Sequence, residues 1–115
     1  MRPILHGDVV AAARLLMEIA PWDRPGVIVA LLTRADAADR YRKRTGRVHP
    51  FWGNGSLLAA ASVRRLRPEP FLDDPDYCQC FVEVFEALVR WRAERCALSG
   101  RRRRRWGPSD QAPGA

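Results

Sequence analysis

Lysine is almost missing from this sequence: Lys43 stands alone among 20 basic residues, and the other nineteen are arginine. Alanine is abundant as well, the pattern that GC-rich coding produces, so the number of arginines says little by itself about guanidinium chemistry. Cysteine and histidine are also scarce, at three and two residues. An odd cysteine count fits a reducing compartment rather than a disulfide framework. Cys78 and Cys80 lie two apart on a predicted helix and point about 200° away from each other, and Cys96 is far along the chain, so no shared zinc site is expected. No apolar run approaches the roughly 18 residues of a membrane span; Val27 to Leu32 is the longest. Gly7 and Asp8 interrupt any apolar stretch near the start, so a secretory signal is not expected and the placement is read as cytoplasmic. Period-two alternation is lacking too, which excludes strands, and no internal repeat is present.

What remains is a chain of 115 residues, 47% apolar and 29% charged, the composition of one soluble folded domain. Its net charge of +7 is unevenly spread. Residues 101–115 hold five arginines and one aspartate, leaving fifteen basic against twelve acidic residues in the remainder. The body is therefore only mildly basic, and the high isoelectric point belongs mainly to the tail. These features predict a single helical domain over residues 1–100 and a disordered arginine-rich tail over 101–115, whose like charges and sparse apolar surface oppose folding. The arginine run beside Trp106 suits an auxiliary electrostatic tether, with a merely solvated tail as the plainer reading.

Four helices are expected. Val9, Ala12, Ala13, Leu16, Ile19 and Ala20 keep helical spacing, with Asp8 as N-cap and Pro21 as stop; Trp22 then folds back as core. Asp23 caps a second helix, Pro25 sits in its first turn, and Gly46 ends it after about Arg44. Ile28, Leu31, Leu32, Ala35 and Ala38 form its apolar face. Asn54 or Ser56 caps a third helix running from Leu57 to about Leu66. Asp74 and Pro75 open a fourth, whose core stripe is read as Tyr77, Phe81, Val84, Phe85, Leu88 and Trp91, with Ser99 and Gly100 as its end. The fold class is all-α, a compact four-helix domain with helix four packed on helices one and two.

Chemistry-bearing residues concentrate in one place. Arg40, Arg42, Lys43, Arg44 and Arg47 crowd the end of helix two, more cations than the helix dipole calls for. Behind them, His49, Phe51 and Trp52 lead into Gly53-Asn54-Gly55-Ser56, which opens helix three. Three readings compete. The Phe-Trp pair plugs the bundle end as structure; His49, Phe51 and Trp52 form a stacking platform beside arginines for single-stranded nucleic acid; or the free N–H groups at the Gly53 to Ser56 helix start receive an anion, flanked by Arg44, Arg47 and His49. The stretch lacks the Gly-Lys-Ser/Thr ending of a phosphate loop and no apolar strand precedes it. The loop of nine or so residues between Arg44 and Asn54 exceeds the three or four of a helix-turn-helix. The histidines, cysteines and the Asp73, Asp74, Asp76 group do not assemble into a catalytic set: the acids serve helix initiation, and Cys78 or Cys80 reads as a buried apolar group. No enzyme, metal or cofactor is expected.

The runs His49-Pro50-Phe51-Trp52-Gly53-Asn54-Gly55-Ser56-Leu57-Leu58-Ala59-Ala60-Ala61 and Asp73-Asp74-Pro75-Asp76-Tyr77-Cys78-Gln79-Cys80 resemble a family of short uncharacterised alphaproteobacterial proteins, over about residues 1 to 98. That resemblance implies a bacterial cytoplasmic protein and, through an association with regulation of gene transfer agents, a regulatory or adaptor role; it brings no functional residues with it. The expectation is a non-catalytic module contacting protein or nucleic acid through Arg40, Arg42, Lys43, Arg44, Arg47, His49, Trp52, Asn54 and Ser56; the alternative is an anion-binding or small enzymatic domain using the Gly53 to Ser56 helix start.

Overall fold

The computed structural model describes residues 2–62 and 66–106, with side chains through Leu98. Its elements are α1 (His6–Leu16), α2 (Arg24–Thr45), α3 (Leu57–Ala61) and α4 (Pro75–Trp106). The chain is all-α: among the described residues the one strand-like feature is an isolated antiparallel bridge between His49 and Gly53. Both α1 and α2 pack on α3 and on α4.

Local chemistry sets several boundaries. Asp74 Oδ1 accepts the N–H groups of Asp76 and Tyr77 at 2.9 and 3.3 Å, with Pro75 as the first helical residue, so α4 starts where the sequence places it. Gly46 closes α2 in the left-handed conformation, φ 74°, its N–H donating to the Arg42 carbonyl at 2.7 Å.

The core joins Val9, Ala12, Ala13 and Leu16 of α1 to Ile28, Leu31, Leu32 and Ala35 of α2, to Leu57, Ala60 and Ala61 of α3, and to Tyr77, Cys80, Val84 and Ala87 of α4. Alanines at so many contact positions let the axes approach closely. Full burial of a residue such as Leu16 or Leu32 contributes about 1.5–3 kcal/mol. Tyr77 is the largest fully buried side chain; its hydroxyl donates to Glu69 Oε1 at 3.0 Å, and burial followed by that carboxylate pushes its pKa up to about 12.

Several expectations need correction. Asp8 lies inside the first turn of α1 rather than capping it. One oxygen accepts the Leu5 N–H and the other the Leu58 N–H, each at 2.8 Å, so this buried carboxylate ties α1 to α3. Helix α1 ends at Leu16, four residues early, because Glu18 and Ile19 make turn bonds to Leu15 and Leu16. Trp22 is 81% exposed, not core; Arg24, at 3%, is buried instead. Its Nε donates to the carbonyls of Leu16 at 2.8 Å and Ile19 at 3.0 Å, while its two terminal nitrogens grip Asp76 at 2.8 and 3.0 Å. One guanidinium thereby finishes α1, belongs to α2 and holds the first turn of α4.

Helix α3 ends at Ala61 with Ser62 as its cap, short of the expected Leu66, which is not helical; residues 63–65 lie outside the described residues. Helix α4 does not stop at Ser99 and Gly100; it continues to Trp106, so the arginine run is helical, while residues 107–115 of the expected tail lie outside the described residues. A glycine inside a helix costs about 1 kcal/mol relative to alanine, too little to end one flanked by alanine, leucine and arginine. The α4 stripe is also shifted: Tyr77, Cys80, Val84 and Ala87 are buried, Phe81, Leu88 and Trp91 half-buried, and Phe85 is 52% exposed.

Candidate functional site

The cationic corner at the end of α2 resolves into two groups once helical geometry is applied. Ala37, Arg40, Tyr41 and Arg44 stand at i, i+3, i+4 and i+7 and share one face of α2. The loop after Gly46 folds back over that face, and together with His49 and Trp52 these residues line an open concavity of about 310 Å³. Arg42, Lys43 and Arg47 are exposed but do not line it.

The loop holds its shape through His49. The His49 N–H donates to the Gly53 carbonyl at 3.1 Å and the Gly53 N–H returns to the His49 carbonyl at 3.3 Å. Inside that turn, His49 Nδ1 accepts the N–H groups of Phe51 and Trp52, both at 3.1 Å. An acceptor Nδ1 leaves Nε2 to carry the ring proton of the neutral imidazole. The imidazole stacks on Trp52 with centroids 4.5 Å apart and planes 3° from parallel, and meets Tyr41 edge-on at 5.1 Å. Arg44 lies 6.0 Å above the Tyr41 ring, at the outer limit of a cation–π contact. Phe51, whose ring sits 6.0 Å from His49, is 75% exposed. The expected plug is therefore half present: Trp52 is partly buried against His49, and Phe51 faces water.

Two glycines make the fold-back feasible. Gly53 has φ 84° and a side chain there would meet the Ala59 Cβ at 2.6 Å; Gly55 has φ 98° and would meet the Asp39 Cβ at 2.7 Å. Any residue with a Cβ would push the loop off α2 and α3.

Asn54 and Ser56 do structural work. Asn54 Oδ1 accepts the Ser56 N–H at 3.1 Å, and Ser56 Oγ accepts the Ala59 N–H at 3.1 Å as the cap of α3. With the Leu58 N–H held by Asp8, two of the donors at this helix start are already engaged. An incoming anion would have to displace them.

Acidic partners modulate the basic residues. Lys43 Nζ pairs with Asp39 Oδ2 at 3.0 Å, and Arg40 Nε lies 3.5 Å from Asp36 Oδ2. Burial raises the Asp39 pKa, but the Lys43 hydrogen bond together with the positive charge around it lowers it more, and the net shift is downward. Asp36 behaves likewise: burial raises it, and the surrounding cationic groups, with Arg95 at 3.0 Å contributing, lower it more. Arg95 also stacks over Trp91 at 4.5 Å, so it serves the α2–α4 contact. Arg44 and Arg42 have no acidic partner of this kind among the described side chains.

Of the nine residues singled out in the sequence, the structure brings Arg40, Arg44, His49 and Trp52 together. It leaves Arg42 and Arg47 on adjoining surface, commits Lys43 to Asp39, and uses Asn54 and Ser56 inside the loop. Tyr41 was missed, although its spacing from Ala37 and Arg44 carried the signal.

Among the described residues no group of histidine, cysteine, aspartate and glutamate is arranged to hold a metal ion. Cys80 is fully buried, and desolvation pushes its thiol up to about 11, away from the thiolate an activated nucleophile requires. Cys78 and Cys96 are exposed. No described helix is long and apolar enough to cross a membrane.

No curated protein and no solved structure matches the chain. The model of a domain of unknown function, DUF7742, matches residues 2–88, which include all four helix starts and the whole of the α2–α3 loop. The chain belongs to the DUF7742 family.

Proposed function

We propose that this domain is a small, non-catalytic regulatory or adaptor module that recognises nucleic acid or a partner protein through the concavity at the end of α2 and through Phe51 beside it. The observation that carries the reading is the shared lining: two guanidinium groups, Arg40 and Arg44, converge with the stacked His49–Trp52 pair. Such a site offers positive charge and aromatic faces within one ligand length. Single-stranded nucleic acid presents the complementary pair, a phosphate and a base face, at every nucleotide. A protein segment carrying an acid next to an aromatic residue fits the same chemistry. The bacterial cytoplasmic setting and the link to gene transfer agent regulation, both implied by the sequence resemblance, belong to this proposal.

Fluorescence anisotropy with a labelled single-stranded 12-mer tests it. Affinity is expected to fall steeply with salt, log K dropping by about 0.7 per log unit of salt for each phosphate engaged. Arg40→Ala with Arg44→Ala removes two such contacts and flattens the slope by about 1.4 on the same basis. Phe51→Ala with Trp52→Ala loses about 1–3 kcal/mol per stacked base. Affinity and slope unchanged in both double variants, with helicity retained, would remove the nucleic-acid reading; capture of a protein by the wild type but not by the Arg40, Arg44 variant would move the proposal to its protein form.

A further inference from the structure

Apolar side chains cover about 220° of the α4 circumference at 100° per residue, roughly twice the arc that one packed face buries. One side, Tyr77, Cys80, Val84 and Ala87, is spent on the core. On the other, Val82, Phe85 and Val89 are 43%, 52% and 69% exposed, and the exposed Cys78 and Cys96 lie on the same line. The series Cys78, Val82, Phe85, Val89, Arg92, Cys96 advances by four and three residues alternately, the spacing of a coiled-coil seam. Leu72, 63% exposed, extends the apolar strip at the Cys78 end, where its carbonyl accepts the Cys78 thiol.

The charge along α4 is polarised. Residues 73–86 contain Asp73, Asp74, Asp76, Glu83 and Glu86 and no base; residues 90–105 contain eight arginines and one acid. A helix with that polarity is complementary to a second copy of itself laid antiparallel. The spacing agrees. Antiparallel pairing centred on residue 87 sets Phe85 against Val89, Val82 against Arg92 and Cys78 against Cys96, each pair twice by symmetry, and brings the Arg101 region of one helix alongside the acidic start of the other.

We propose that two copies of this chain associate through antiparallel α4 helices, with Phe85 and Val89 as the central layers and the acidic and arginine-rich ends paired outside them. The two Glu86 side chains fall near each other in this arrangement, so the association rests on the apolar layers and the outer charges. It is independent of the site at the end of α2.

Sedimentation velocity of the full chain and bismaleimide cross-linking of its native cysteines test the proposal together. The expected species has twice the chain mass, and the mapped cross-link joins Cys78 to Cys96. Those residues are 18 apart on one helix, about 27 Å, beyond the reach of a short bismaleimide within a single copy. Phe85→Asp and, separately, Val89→Asp give monomer with unchanged helical circular dichroism and lose the cross-link, because both side chains are exposed in the isolated chain. A monomeric wild type at millimolar concentration, a dimer that persists in both variants, or cross-links of Cys78 to Cys78 or Cys96 to Cys96 would overturn it.

Discussion

Replacing Arg24 by alanine removes the joint on which three helices meet, and the size of the effect follows from its partners. The Leu16 and Ile19 carbonyls lose a charged donor at 2.8 and 3.0 Å, in a place where Leu16 is fully buried. Leaving buried acceptors without a partner costs about 1–3 kcal/mol. Asp76 loses its bidentate grip but its side chain is half exposed, so it regains water and adds little. The stems and contacts of a side chain 97% hidden are lost as well. The sum is about 3 kcal/mol, which in a domain of this size lowers Tm by roughly 10–20 °C. Arg24→Lys restores a charge without the planar fork and recovers less than half of that.

Urea denaturation followed at 222 nm measures both variants. The pH dependence adds a signature. The Arg24 hydrogen bond holds the Asp76 pKa below its ordinary 3.8. A depressed carboxylate contributes stability above its unfolded value and loses it as pH falls through the folded value, so the gap between wild type and Arg24→Ala narrows below about pH 4. An Arg24→Ala protein within 0.5 kcal/mol of wild type, or a lysine variant equal to wild type, would refute the reasoning.

Asp8→Ala leaves the Leu5 and Leu58 N–H groups without their acceptor and is expected to cost about 2 kcal/mol by denaturant titration. Gly55→Ala, strained by its φ of 98° and by contact with Asp39, destabilises by more than 1 kcal/mol, whereas Gly26→Ala, with open space around it in α2, gains about 0.5 kcal/mol; equal effects at the two positions would contradict the loop geometry. Cys80 stays unmodified by a maleimide until urea unfolds the chain, because its thiol is buried and pushed up to about 11; mass mapping of the labelled cysteines reads this directly. Asp36 and Asp39 both sit below 3.8, so native stability holds above that value and declines as pH drops past it, more steeply than in Asp36→Asn.

Where boundaries depend on neighbours in sequence, they were legible. Asp74 with Pro75 starts α4, Pro25 sits in the first turn of α2 and Gly46 ends it, because cap chemistry acts over three or four residues. Contacts across the fold were not. Asp8 looks like a cap until Leu58 arrives from fifty residues away, and nothing local distinguishes Arg24 from a solvated arginine before the Leu16 carbonyl and Asp76 enclose it. Trp22 and Phe85 mislead for a related reason. Apolar periodicity ranks faces by hydropathy, but the number of helices available to cover them is a property of the assembled chain, and α4 carries a wider apolar arc than α1 and α2 can hide. The cationic corner at the end of α2 was visible as a cluster of charge. Its division into Arg40 and Arg44 on one side and Lys43 on another needed the position of the folded-back loop.

The claim that this corner is where the domain meets its partner is tested most directly by two-dimensional ¹H–¹⁵N NMR during titration with a single-stranded 12-mer. Amide and side-chain shifts centred on Arg40, Tyr41, Arg44, Phe51 and Trp52, including the indole N–H, are the predicted result. Saturating shifts confined to Arg101–Arg105, with the α2 end and its loop silent, would contradict it.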